Sequence, residues 1–104
     1  MKNEVVGKEQ AIYLVDQNKC IEPPLFQVVV HNDDFTPMEF VVAMLERFFH
    51  KERRAAVDIM LQAHMQGKAM CGHFTKDIAA SKIAQVLDYA RLHEHPLVCS
   101  META

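Results

Sequence analysis

Three cysteines, three glycines and no long apolar run set the first limits on this chain of 104 residues. The cysteines, Cys20, Cys71 and Cys99, are odd in number and widely spaced. They form neither a CxxC pair nor a disulfide framework, so a reduced, cytoplasmic protein is the simplest expectation. With so few glycines there is no Gly-rich loop to cradle a phosphate. Apolar stretches such as Phe40 to Leu45 are far too short to span a bilayer. Met1-Lys2-Asn3-Glu4 leads into no long apolar segment, so no secretory signal is expected. Basic residues gather only at Lys51-Glu52-Arg53-Arg54, and the net charge is −3. Nucleic acid, which needs a clustered positive face, is not an expected partner.

What is present fits one domain with a single modest core. Residues 1–24 lack sustained periodicity and end in Pro23-Pro24, so they read as a flexible extension in which only Ile12-Tyr13-Leu14-Val15 is sticky. From Leu25 the pattern tightens into a core of residues 25–104. Leu25 to Val30 is short and β-branched, which predicts a buried strand. Thr36-Pro37-Met38-Glu39 then combines an N-cap, a proline at the first helical position and a capping-box glutamate. Behind it Met38, Val41, Val42, Leu45, Phe48 and Phe49 give one apolar helical face. A second helix is expected from about Glu52 to Gln66, with Ala56, Val57, Met60, Leu61 and His64 on its inner face and Gly67 as its stop. Lys68 to Phe74 reads as a strand. Thr75 caps a third helix striped by Ala79, Ile83, Val86, Leu87 and Ala90, and Leu97 to Met101 reads as a last strand. The order is βααβαβ, an α+β domain with its helices layered on one face of a small sheet.

The stretch His31-Asn32-Asp33-Asp34 carries the chemistry. Asn and Asp favour turns between strand and helix, where they bond nearby backbone N–H groups. Thr36 and Glu39 already serve the helix start, so the acidity is surplus to capping. A calcium loop fits poorly, because its ligands alternate and need a Gly and a distal Glu. A cation held by two or three oxygens stays open. His64 reads first as an edge histidine of a helix face, yet it lies one turn after Met60 and both can border one pocket. The methionines fill a core by default, though methionines lining a cavity adapt it to several apolar shapes. Cys71-Gly72-His73 and His93-Glu94-His95 match no closed zinc site. No Ser/His/Asp or Cys/His arrangement can be argued, so no catalytic residue, metal or cofactor is expected.

Asn32-Asp33-Asp34-Phe35-Thr36-Pro37-Met38-Glu39-Phe40-Val41-Val42 resembles the signature of ClpS, the bacterial N-end rule adaptor family of the ClpAP protease. His64-Met65-Gln66-Gly67-Lys68-Ala69-Met70-Cys71-Gly72 resembles a second family segment. Tyr89-Ala90-Arg91 and Glu94-His95-Pro96-Leu97 with Cys99 resemble a third. The resemblance covers about residues 25–104. It implies three helices packed on a three-stranded antiparallel sheet, where periodicity alone would also allow parallel pairing across the third helix.

It further implies an adaptor, not an enzyme. Such an adaptor binds proteins beginning with Leu, Phe, Tyr or Trp and hands them to the N-terminal domain of the ClpA unfoldase. Matched residue by residue, Asn32, Asp34 and His64, with Asp33, are expected around the N-terminal amine. Met38, Val41, Met60, Ala63 and Leu97 are expected to wall an apolar pocket, with Met38 as its gate. Position 63 is usually Val in the family, and Ala here is expected to deepen that pocket. Asp77 and Lys82 match the ClpA-facing surface, and the extension 1–24 is expected to serve delivery. The main alternative is a protein-interaction domain like the C-terminal domain of the ribosomal L7/L12 stalk, which shares the architecture and needs no amine site. A small metal-dependent enzyme is the second.

Overall fold

The computed structural model describes residues 23–104. The run Ile12–Val15, Cys20 and all but the last two residues of the expected extension lie outside that range. The chain runs β1 (Leu25–His31), α1 (Met38–Phe49), α2 (Arg53–Gln66), β2 (Lys68–Thr75), α3 (Lys76–Leu92) and β3 (Val98–Thr103). Strand order is β2-β1-β3, and both pairings are antiparallel.

Three features of the sequence explain this layout. β1 carries three consecutive valines, Val28, Val29 and Val30, all buried, as suits a central strand paired on both sides. Gly67 closes α2 with φ at 93° and donates its N–H to the Ala63 carbonyl at 2.8 Å. A left-handed residue there favours glycine and turns the chain directly into β2. Between Val28 and Val29 the β1–β2 register shifts, so that Val28 faces Gly72 while Val29 faces Met70. Cys71 is the extra residue of this bulge, which kinks β2.

All three helices pack on one face of the sheet. Met44, Leu45, Val42 and Val86 are fully buried there against Val28 and Val30. Burying each is worth about 1.5–3 kcal/mol relative to exposure. On the other face Val29 is 2% exposed. It lies below an ion pair that spans the central strand, Lys68 Nζ to Glu102 Oε2 at 2.8 Å.

The helix starts differ from the capping expected above. α1 begins at Met38 with Pro37 in the cap position and no side-chain cap bond. The Thr36 hydroxyl instead donates to Asp33 Oδ2 at 2.8 Å, because an ionised carboxylate three residues back is the stronger partner. Glu39 turns outward to the Arg53 guanidinium at 2.6 Å. Thr75 does occupy the cap position of α3, again without a side-chain bond. Leu61 is 43% exposed and is not part of the inner face of α2. The buried positions of that helix are Ala56 and Ala63.

Candidate functional site

The C-terminal end of β1 is where the elements leave a gap. The Asn32 N–H donates to the Gly67 carbonyl at 2.8 Å, so the loop after β1 is fastened to the end of α2. Asp33 then folds the loop on itself. Its Oδ1 accepts the N–H groups of Phe35 at 2.8 Å and Thr36 at 2.7 Å, and its Oδ2 takes the Thr36 hydroxyl. This side-chain turn delivers the chain to Pro37 and α1.

Behind the loop lies a cavity of about 310 Å³, part of it open to solvent. Its interior is apolar: Val30 from β1, Met38 and Val41 from α1, Met60 and Ala63 from α2, and Leu97 just before β3. Its rim is polar, formed by His31, Asn32, Asp33, Thr36 and His64. Met38 and Val41 are one turn apart on α1, as Met60, Ala63 and His64 are on α2, so each helix offers one face to the gap. Met38 stands at the mouth with 47% of its surface exposed. His64 is exposed beside it.

Burial in the loop opposes ionisation of Asp33, yet the Thr36 hydroxyl and the two backbone N–H groups outweigh it and hold the carboxyl below its ordinary range. The charge of His95 acts in the same direction, as the smallest contribution. The rim therefore keeps a fixed negative charge at neutral pH, with its oxygens already engaged by the loop.

All the residues expected at the pocket from the sequence line this cavity except Asp34. Asp34 is exposed and lies outside the lining. Val30, His31 and Thr36 were not expected there. The capping pattern predicts Thr36 as a helix cap, and the β-branched run predicts Val30 as part of a buried strand. Asp77 is exposed in the first turn of α3. Lys82 is half-buried and donates to the Phe48 carbonyl at 2.8 Å, closing the end of α1. His31 Nε2 and Ser100 Oγ lie 2.7 Å apart across β1 and β3. Among the described residues no carboxylate bonds that imidazole, so the pair lacks the orienting acid of a nucleophilic triad. The thiols of Cys71 and Cys99 are both pushed up to about 12, chiefly by burial, which makes them inert packing groups. Among the described residues no three His, Cys, Asp or Glu side chains converge on a possible metal position. None of the described helices is long and apolar enough to cross a membrane.

Fold and cavity together define a small α+β binding domain whose cavity joins an acidic, amide-bearing rim to an apolar interior. Residues 21–100 match the family model described as the ATP-dependent Clp protease adaptor protein ClpS. A ClpS adapter protein of Caulobacter sp. (strain K31) is 55% identical over 81% of this chain and 77% of its own. That of Alkalilimnicola ehrlichii is 50% identical over 79% and 77%, and that of Aromatoleum aromaticum 45% identical over 91% and 93%. The solved structure of Agrobacterium tumefaciens ClpS2 bound to L-phenylalaninamide superposes with a TM-score of 0.77. It is 31% identical and covers 80% of this chain and all of its own. The chain belongs to the ClpS family, the adaptors of the ATP-dependent Clp protease.

Proposed function

We propose that this adaptor captures proteins by a free N-terminal residue with a large apolar side chain, Leu, Phe, Tyr or Trp, and delivers them to the ClpA unfoldase for degradation. The observation that carries this is the joining of a charged rim and an apolar interior within one cavity. A free α-amino group titrates near 7.7–8.0 and is largely an ammonium at neutral pH. It needs acceptors and negative charge at one point. Asn32, Asp33 and His64 meet at the rim, and exposed Asp34 adds its charge from the same loop. The side chain of that residue then enters between Met38, Val41, Met60, Ala63 and Leu97, where burial contributes about 1.5–3 kcal/mol. The relative bound to L-phenylalaninamide supports this assignment, since that ligand carries both a free amine and a benzyl side chain.

In this reading the adaptor performs no chemistry, uses no cofactor and works in the cytoplasm. Residues 25–104 form its receptor core, with Asp77 and Lys82 toward the N-terminal domain of ClpA. Residues 1–24 act in delivery. The test is calorimetric titration with a Leu-led peptide and its N-acetylated twin. Acetylation removes the charge and most of the donors, and the expected loss is at least about 100-fold, the scale of a broken charge-assisted contact. Equal affinities overturn the reading. His64 must be neutral to accept a bond from the ammonium. Protonation of the ring removes that acceptor, so affinity is expected to fall on acidification from pH 8 to pH 5.5. A flat profile removes His64 from the amine site.

A further inference from the structure

Among the described residues the methionines divide by where their side chains lie. Met44 is fully buried in the core, and Met60 and Met101 are half-buried. Met38, Met65 and Met70 are open to solvent. Of these three, Met38 alone lines the cavity, at its mouth. Met65 follows His64 on α2 but lies outside the lining, and Met70 borders a separate groove with Val29 and Glu102. The division matters for oxidation. Thiols are usually the first sulfur groups to react, but burial makes those of Cys71 and Cys99 inert. The sulfurs that an oxidant can reach among the described residues are therefore thioethers.

We propose that Met38 is a reversible oxidation site: hydrogen peroxide converts its thioether to the sulfoxide, and the oxidised side chain lowers the affinity of the cavity for an apolar N-terminal residue. The inference rests on the amine-binding reading above. In the reaction a lone pair of the Met38 sulfur attacks one oxygen of the peroxide. The S–O bond forms as the O–O bond breaks. The second oxygen leaves as hydroxide and takes the proton of the transferred oxygen to become water. Sulfur gives up two electrons and the peroxide accepts them. Methionine sulfoxide reductases reverse the change with a thiol reductant. The oxygen then leaves as water while two thiols close to a disulfide.

Oxidation turns a flexible apolar side chain into a polar, chiral one. It does so beside Val41, Met60, Ala63 and Leu97, whose side chains offer no hydrogen-bond donor. The Thr36 hydroxyl, two residues before Met38, already donates to Asp33 Oδ2 at 2.8 Å. Seating a client side chain against the S=O group therefore buries a strong acceptor without a partner. When the oxygen turns to the rim instead, it engages Asn32 or His64, the groups that the proposed function assigns to the amine. Both arrangements weaken capture. Occupancy acts in the other direction: a bound client covers the mouth and shields Met38 from peroxide, while Met65 and Met70 stay open.

The test uses the full chain. Wild type is treated with dilute hydrogen peroxide, and the sulfoxide at each methionine is followed by peptide mass spectrometry. Met38, Met65 and Met70 are expected to oxidise ahead of buried Met44. A saturating Phe-led peptide is expected to slow Met38 by at least about threefold, since susceptibility follows exposure, and to leave Met65 and Met70 unchanged. Its N-acetylated twin is expected to protect none of them. Peptide affinity is then measured before and after peroxide, at a dose that leaves Met44 reduced. Wild type and the double variant Met65→Leu, Met70→Leu are expected to lose at least about tenfold, the low end of the cost of burying an unpaired polar group. Met38→Leu, compared with its own starting affinity, is expected to change by less than about twofold. Sulfoxide reductases are expected to restore wild-type binding as the Met38 sulfoxide disappears. An equal loss in Met38→Leu, or Met38 oxidising equally fast with and without the free peptide, overturns this inference and leaves the amine-binding reading intact. Failure of the unoxidised chain to bind the free peptide overturns both.

Discussion

The two ends of the cavity are built on different physics. Its interior is continuous with the core: Ala63 and Leu97 are almost fully buried, and Val41 packs on the same cluster. Its rim is a solvent-facing loop held by three hydrogen bonds to Asp33 and one from Asn32 to Gly67. At the interior, truncating a buried wall such as Leu97 costs the fold as well as the cavity. The rim can be altered with the fold intact, because its bonds are few, polar and local. In the function proposed above the two tasks are separate: the packed end sets which side chain fits, and the loop end sets whether a charged terminus is present.

The sharpest break of this comparison is Leu97→Ala. The residue serves both core and cavity, so urea unfolding is expected to show a loss of about 2–5 kcal/mol. A loss below about 1 kcal/mol at unchanged m-value places Leu97 outside the core. Asp33→Ala comes next. It removes one acceptor group serving three donors and is expected to cost about 1–3 kcal/mol. Its effect depends on pH with a definite sign. Because the folded carboxyl is held below its ordinary value of 3.8, its stabilisation is fully present above that value and is lost as pH falls through the folded one. The gap between wild type and Asp33→Ala is thus expected to narrow as the pH falls below 3.8; a constant gap to pH 2 refutes this account of the turn. The smallest effect is Ala63→Val, which adds two methyl groups to the cavity wall without touching the rim. It is expected to weaken Phe- and Trp-led peptides by a few-fold more than Leu-led ones, about 1 kcal/mol of overpacking. Equal effects on all three show that the added methyls do not reach the bound side chain.

The same division decides what could be read from the sequence. The interior was legible because helical spacing fixes which residues share a face. Met38 with Val41, and Met60 with Ala63 and His64, lie three or four apart, and the structure sets both pairs of turns against one gap. The periodicity did fail at Leu61. It obeys the spacing from Val57 yet is exposed, because α2 buries a narrow face of small residues, Ala56 and Ala63.

At the rim, Thr36, Pro37 and Glu39 carry every local sign of a capping box. Whether a hydroxyl caps a helix or donates to a carboxylate depends on where the loop places that carboxylate, and Asp33 proved the nearer partner. For the same reason spacing could not distinguish Asp33, which lines the cavity, from Asp34, which does not. Strand order was equally hidden. The three valines of β1 mark a buried strand, but only the pairings of Val30 with Ala69 and with Cys99 show it to be the central one.

That central placement of β1 has a consequence for how the molecule is made. His31 pairs with Lys68 at the first residue of β2 and with Val98 at the first residue of β3. One end of the sheet, across all three strands, thus gathers segments from opposite ends of the described chain. The wall at Leu97 is synthesised last and the loop at Asn32 first, so the full cavity lining is assembled only once the segment at β3 has joined β1. In the proposed function, the site that selects a client is therefore complete only in the finished domain.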